Sequence, residues 1–214
     1  ELARQFRNAA FDKRSKEYRG GETLASCRTS ATDLLAFFHD RLKVYLRDQG
    51  IRHDIIDACI STPDDAPAGA MPKNDDLALL VKRARALNDT LKTDDGENLI
   101  QGFKRANNIL TQAEEADGVE YSYGADVKYA ETDEEKALFK ALDEAEAKIT
   151  PAMDAQDFAT AMTAMASLRA PIDAFFDAVQ VNSDNQTVRR NRLNVLSCIR
   201  GICTSVADLT RIEG

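Results

Sequence analysis

The sequence is poor in residues suited to metal binding or covalent catalysis, with four cysteines and two histidines among 214 residues. No Cys-x-x-Cys pair occurs, and each cysteine falls in an apolar or helical pattern: Cys27, Cys59, Cys198 and Cys203. We therefore expect reduced thiols in or near the core of a cytoplasmic protein, and neither a disulfide framework nor a zinc site.

Both histidines belong to His-Asp dipeptides, His39-Asp40 and His53-Asp54. Such dipeptides bind divalent metals in phosphohydrolases of the HD type, but a site here would use every histidine in the chain. Asp54 has a simpler role as an acid in the first turn of a helix. The nucleophile-elbow, P-loop and dinucleotide fingerprints are also missing. We predict no metal, no cofactor and no catalytic residue in this chain.

No apolar run approaches the roughly 20 residues of a membrane span, and no signal peptide pattern is visible. Alternation of apolar and polar residues never continues long enough to predict a strand. Apolar residues instead recur at helical spacing throughout the chain. The sequence therefore predicts an all-α fold, a helical bundle interrupted by a loop at residues 62–73 and by an acidic insertion.

The clearest helical pattern runs from Leu168 to Val206. Pro171 suits the first turn of a helix, and the polar residues 182–184 end that helix. Asp184 is the predicted cap of the next helix, which carries one apolar stripe. That stripe consists of Leu193, Leu196, Ile199, Cys203 and Val206.

The chain begins at Glu1 without a methionine, so we expect it to be a fragment of a longer protein. Residues 1–25 are interpreted either as a linker or as an N-terminal helix of a preceding module, and residues 26–214 as one helical domain. Ser30 and Asp33 have the spacing of a capping box, which predicts that a long helix starts there.

The formal net charge of −8 argues at first against a nucleic-acid binder. Residues 112–148 alone hold twelve acidic residues and four lysines, so the remainder of the chain is balanced. Residues 114–130 show little helical periodicity and are predicted to form the most mobile loop. Thr132 and Glu135 form a second predicted capping box after it.

Cations and an amide on three predicted helices are candidates for an RNA-binding surface, and the alternative is that they form ordinary solvated helix faces. Arg189 and Arg192 lie on neighbouring turns, and Lys104 and Asn108 share one helix face. RNA loops are recognised by cations for phosphates and by planar groups for unstacked bases. The candidate nucleic-acid-binding residues are Arg41, Lys43, Arg47, Lys104, Arg105, Asn108, Arg189 and Arg192.

Two stretches resemble a known family: residues 102–110, Gly-Phe-Lys-Arg-Ala-Asn-Asn-Ile-Leu, and residues 170–177, Ala-Pro-Ile-Asp-Ala-Phe-Phe-Asp, followed by an Arg-x-x-Arg-Leu helix. They are similar to the C-terminal anticodon-binding, DALR-like domain of the bacterial glycyl-tRNA synthetase beta subunit. The resemblance covers roughly Thr32 to Gly214.

This resemblance implies an all-helical domain that reads the C-C-containing anticodon of glycine tRNA and is not catalytic by itself. The alpha subunit of the alpha-two beta-two enzyme would be the partner that supplies the active site and uses ATP and magnesium. The expected partners are thus glycine tRNA and the alpha subunit, with no DNA and no membrane. The alternative is a helical protein-interaction module without RNA binding.

Overall fold

The computed structural model describes residues 21–60 and 74–213, and within residues 21–32 it describes the backbone alone. Residues 1–20 of the predicted linker or N-terminal helix, and the whole of the predicted loop at residues 62–73, therefore lie outside the described residues. The α-helices are α1 (Gly21–Asp48), α2 (His53–Ile60), α3 (Leu77–Thr90), α4 (Asp94–Asp117), α5 (Asp133–Asp154), α6 (Phe158–Ala166), α7 (Arg169–Ala178) and α8 (Gln186–Val206). Short 3-10 helices cover Val127–Tyr129 and Leu209–Arg211. No strand occurs in the described ranges, so the predicted all-α fold is confirmed.

The chain divides into two compact units, residues 1–45 and residues 46–214. In the first unit α1 begins at Gly21, so the predicted capping box at Ser30 and Asp33 is wrong, because both positions lie inside a continuous helix. Several large apolar side chains of this unit are exposed: Leu34, Phe37, Phe38, Val44 and Tyr45.

The second unit is a bundle in which α4 packs on α7 and α8, and α5 packs on α6, α7 and α8. The predicted stripe of α8 is buried in full, since Leu193, Leu196, Ile199, Cys203 and Val206 all lie in the core. Phe103 of α4 and Phe175 of α7 are also completely buried. Burying such a side chain stabilises the fold by about 1.5–3 kcal/mol.

Helix caps set the boundaries of the elements around α5 and α8. Thr132 and Glu135 form the predicted capping box at the start of α5, with Glu135 N–H donating to Thr132 Oγ1 at 3.1 Å. The cap of α8 is Asn185, whose side chain accepts from the backbone N–H of Thr187 and Val188. The predicted cap Asp184 was wrong by one residue, because the amide oxygen of Asn185 is the group that reaches the first turn.

The acidic insertion, whose residues 114–130 were predicted to be a loop, is only partly a loop. Residues 114–117 complete the last turn of α4, which ends at Gly118 in the left-handed conformation (φ 64°). The interpretation of residues 114–117 as loop was therefore wrong. Residues 119–132, which we call the tyrosine loop, contain three tyrosines and the first 3-10 helix. Their predicted mobility stays a prediction, and the contacts below oppose it.

Candidate nucleic-acid interface

Asn191 of α8 fixes the tyrosine loop through its carboxamide. Its Oδ1 accepts from the backbone N–H of Asp126 at 2.8 Å, and its Nδ2 donates to the Asp126 carbonyl at 3.1 Å. One buried side chain thus satisfies both backbone groups of a loop residue. These hydrogen bonds hold the loop on α8 at Asp126, which lies between Tyr123 and Tyr129 in the sequence.

Arg189 and Tyr121 anchor the beginning of the loop. Arg189 Nη1 lies 2.7 Å from Asp117 Oδ2, and the buried Tyr121 hydroxyl donates to the same oxygen at 2.6 Å. The hydrogen bonds from Tyr121 and Arg189 hold the pKa of Asp117 below its ordinary value of 3.8. Arg189 is therefore placed at the loop, with its charge already matched by an acid of α4.

Arg192 lies in the interior of the bundle and is only 6% exposed. Its Nε donates to Glu135 Oε1 at 2.7 Å, its Nη2 to Glu131 Oε2 at 3.0 Å, and its Nη1 to the Gln180 carbonyl at 3.0 Å. A guanidinium so enclosed offers little surface to a phosphate or a base. RNA contact by Arg192 was predicted from spacing alone, and we leave it out of the proposed surface.

The α4 candidates lie apart from the tyrosine loop. Arg105 and Asn108 are exposed, and Lys104 is half-buried. The guanidinium of Arg105 lies 4.4 Å from the ring centroid of Phe176 in α7. Arg105 precedes Asp117 by twelve residues, which is about 18 Å along a helix. Arg105 therefore lies at a different level of α4 from Asp117, the residue that pairs with Arg189.

The α1 candidates belong to different units. Arg41 is exposed, and its guanidinium lies 5.3 Å from the Phe37 ring centroid within the first unit. Lys43, also in the first unit, is half-buried. Arg47 lies in the second unit, in the last turn of α1, and is exposed.

The structure adds four residues that spacing did not single out: Tyr123, Lys128, Tyr129 and Arg190. Lys128 Nζ lies 4.7 Å from the Tyr129 ring centroid, and the Arg190 guanidinium lies 5.9 Å from that of Tyr123. Tyr123 is 83% exposed and Tyr129 is 40% exposed. Proteins bind unstacked bases by stacking them on exposed aromatic rings, with cations close by. The sequence signal for these residues is a group of tyrosines, with a glycine and a lysine among them, inside the acidic segment. The sequence analysis did not use this signal.

Cys59 and Cys203 are buried, which raises the pKa of each thiol to about 12. Within residues 33–60 and 74–213, no three His, Cys, Asp or Glu side chains gather as a metal ion would require. The described helices include none with the length and apolar character of a membrane span.

A family comparison identifies the class of domain. Residues 99–213, more than half of the chain, match the model of the DALR anticodon binding domain. The chain belongs to the DALR anticodon-binding family, as the resemblance predicted.

Its curated relatives are more specific. The chain is 74% identical over 185 residues to the glycine–tRNA ligase beta subunit of Dinoroseobacter shibae, an alignment that covers 86% of this chain and 24% of that protein. Identity is 64% to the beta subunit of Paracoccus denitrificans, over 91% of this chain and 27% of the relative. It is 45% to that of Rhodospirillum centenum, over 89% and 26%. The chain thus spans about a quarter of the length of these relatives.

Proposed function

We propose that this chain is the tRNA-binding module of a glycine–tRNA ligase beta subunit and recognises the anticodon region of glycine tRNA. The observation that carries the proposal is the match of residues 99–213 to the anticodon-binding family, together with relatives named as that subunit. The module supports ligation of glycine to tRNA by an active site on the alpha subunit. It holds no cofactor of its own, and ATP and magnesium serve the alpha subunit in the cytoplasm.

The proposed RNA surface combines the exposed residues of the tyrosine loop and α8 with those of α4. Tyr123, Tyr129 and Arg190 would meet the unstacked anticodon bases, because rings and guanidinium planes stack on bases of any sequence. Arg105 and Asn108 would contact the phosphates of the anticodon stem. Four acids of the insertion pair with Arg189, Arg192 and Arg200, so these carboxylates repel a nearby phosphate less than unpaired carboxylates would.

Filter binding of the 214-residue chain to glycine tRNA, and to the same tRNA with its anticodon exchanged, tests the proposal. We expect tighter binding of the native tRNA and a steep loss of affinity with added salt, since phosphate contacts release counterions. Arg105→Ala should weaken binding of both tRNAs alike and lower the salt slope by roughly 1. Equal affinity for the two tRNAs in the unaltered chain would contradict anticodon recognition.

The exposed apolar residues of α1 favour a second candidate function, a helix face that docks another protein. The exposed fractions of Leu34, Phe37 and Phe38 are 55%, 52% and 44%. Large apolar side chains stabilise a protein most when they are buried, so a group of exposed ones on one helix is typical of a protein-interaction site. The alpha subunit is the partner that the family resemblance implies. Under this proposal Phe37→Ser would weaken an alpha–beta complex in sedimentation measurements, with little dependence on salt, and leave tRNA affinity unchanged. Loss of tRNA affinity alone would exclude a docking role for this face.

A further inference from the structure

Asp126 fixes the middle of the tyrosine loop through its backbone and its carboxylate. The Asn191 side chain binds both the N–H and the carbonyl of Asp126, at 2.8 Å and 3.1 Å. The same carbonyl accepts from the Tyr129 N–H at 3.1 Å, which closes the 3-10 turn Val127–Tyr129. Oδ1 of Asp126 accepts from the Lys128 N–H at 2.9 Å and caps that turn. The turn that carries Tyr129 therefore starts on a residue that α8 holds in place.

This 3-10 turn has little stability of its own. Its three side chains are exposed, so the burial of apolar surface contributes little to it. A single helical turn restricts several backbone torsions for one hydrogen bond, and it persists only where other contacts hold it. The position of the turn therefore depends on the attachment of the loop to the rest of the bundle.

The loop is attached near both of its ends and in its middle. Tyr121 near the start bonds to α4, and Glu131 near the end bonds to α8. Between these points, α8 holds the loop through Asn191 and through a hydrogen bond from the Ala125 N–H to the sulfur of Cys198. Sulfur is a weak acceptor, whereas the Asn191 carboxamide both accepts and donates. Asn191 is thus the stronger of these two attachments at the middle of the loop.

Asn191 offers almost no surface to RNA, since it is 6% exposed. The exposed rings of the proposed RNA surface lie on both sides of Asp126 in the sequence: Tyr123, which is 83% exposed, and Tyr129, which is 40% exposed. A binding loop that is correctly ordered for only part of the time has its apparent affinity reduced by that fraction. A residue that orders this loop therefore affects RNA binding from within the bundle.

We propose that Asn191 is a positioning residue for tRNA binding, which holds Asp126 so that the rings of the tyrosine loop are already in place when tRNA arrives. This inference rests on the proposed tRNA binding and deepens it, since it names the residue on which the arrangement of that surface depends. Order in the free loop removes the entropy loss that ordering would otherwise add to binding. Asn191 acts through Asp126 and the 3-10 turn, without contacting the tRNA.

Asn191→Ala removes both hydrogen bonds to Asp126, and two such bonds together change a local equilibrium by about tenfold or more. We expect glycine tRNA to bind this variant about tenfold more weakly in a filter-binding assay. Cys203→Ala is the matched control, because it truncates another buried side chain of α8, about 18 Å further along the helix. This control should leave the tRNA affinity of the folded protein unchanged. Thermal melts followed by circular dichroism verify that both variants fold.

A double-mutant cycle separates positioning from a general structural effect. Asn191→Ala is also introduced into a protein that lacks both rings through Tyr123→Ala and Tyr129→Ala, at low salt, where phosphate contacts keep the affinity measurable. Because Asn191 acts through the rings, it should change tRNA affinity there by less than about twofold, while its effect on the urea midpoint should be the same in both backgrounds. A tenfold loss of affinity in both backgrounds would overturn the positioning role. Unchanged tRNA affinity of Asn191→Ala in the otherwise unaltered chain would also overturn it.

Hydrogen exchange in the unaltered chain provides a test that needs no variant. The backbone N–H groups of Asp126, Tyr129 and Ala130 donate hydrogen bonds at the anchor and in the turn. Before any tRNA is added, they should exchange more slowly than in an unstructured peptide of the same sequence. Exchange at the peptide rate until tRNA binds would overturn the inference, even if Asn191→Ala does not fold.

The outcomes also separate this inference from the proposed function. If the positioning role is overturned but the chain still prefers the native anticodon of glycine tRNA, the proposed function stands. Failure of the unaltered chain to bind glycine tRNA at any salt concentration would overturn both.

Discussion

Arg192 Nε lies 2.7 Å from Glu135 Oε1 and joins α8 to the first turn of α5 across 57 residues of sequence. Both side chains are buried. Burial raises the pKa of Glu135, but hydrogen bonds from Arg192 and from the backbone N–H of Thr132 and Glu131 outweigh it, so the net pKa lies below 4.5. The same carboxylate closes the capping box of α5. One ion pair thereby connects a helix start, the tyrosine loop and the core.

Removing one partner of this pair should destabilise the fold strongly. Arg192→Ala leaves the Glu135 carboxylate buried without its cation, and such losses cost about 3–5 kcal/mol. Urea denaturation measures the free energy of unfolding, and the neighbouring exposed Arg190→Ala, with an expected change within about 0.5 kcal/mol, is the control. The tRNA affinity of the folded Arg192→Ala protein should be unchanged. Equal stability of the two variants would show that the pair contributes little.

Stability should fall in acid because three carboxyl groups are paired. The pKa of Glu114 is lowered by hydrogen bonds from Arg200, and those of Glu135 and Asp54 are lowered by hydrogen bonds that exceed the opposing effect of burial. Groups with depressed folded pKa values stabilise the fold fully above their ordinary values of 4.5 and 3.8, and this contribution disappears as pH falls through the folded values. The urea midpoint should therefore be constant near neutral pH and decline below about pH 4.5.

Glu114→Gln should make that decline shallower, because one titrating group is removed. Its midpoint at neutral pH should also be lower, since the ion pair with Arg200 at 2.8 Å is lost. A midpoint that stays constant from pH 6 to about pH 3 in the unaltered chain would contradict the stabilising role of all three carboxylates.

Replacing two helical glycines by alanine should change the stability of the fold in opposite directions. A Cβ at Gly96 would lie 2.1 Å from the Thr90 carbonyl oxygen, so the backbone of the α3–α4 turn would have to move. Such crowding costs about 1–3 kcal/mol. A Cβ at Gly201, in α8, would meet nothing within 4 Å. Gly201→Ala should therefore stabilise the fold by about 0.5–1 kcal/mol, because alanine loses less backbone entropy on folding than glycine and has the higher helix propensity. Thermal melts of the two variants should therefore move in opposite directions, and a rise for Gly96→Ala would refute the assigned contact.

Asp54 should hold the C-terminal segment on α2. Its Oδ2 accepts from the backbone N–H of Glu213 at 2.8 Å, and Asp208 N–H donates to the Ala58 carbonyl at 3.0 Å. Asp54→Ala should speed hydrogen exchange of the Glu213 amide and neighbouring amides of the Leu209–Arg211 turn, as measured by mass spectrometry. The unaltered chain is the comparison, and equal exchange in the variant and the unaltered chain would mean that the segment is held by its apolar contacts.

Local sequence determined most of the helices. The buried stripe of α8 and the capping box of α5 depend on side chains three or four residues apart, and that spacing is visible in the chain itself. The predicted capping residues were less accurate, because several polar residues near each helix start could act as the cap. Asn185 caps α8 where Asp184 was expected, and α1 passes through Ser30 and Asp33 without a break.

The tertiary structure alone decided which cations face solvent. Arg189, Arg190 and Arg192 are neighbours in sequence, yet one pairs with Asp117, one lies beside an exposed tyrosine and one is buried against Glu135. Their acidic partners lie 57 to 72 residues away, so no local pattern reveals them. A charge on a helix interacts with whichever group the fold brings within a few ångströms of it, and only the packing of α8 against α4, α5 and the tyrosine loop fixes that neighbour.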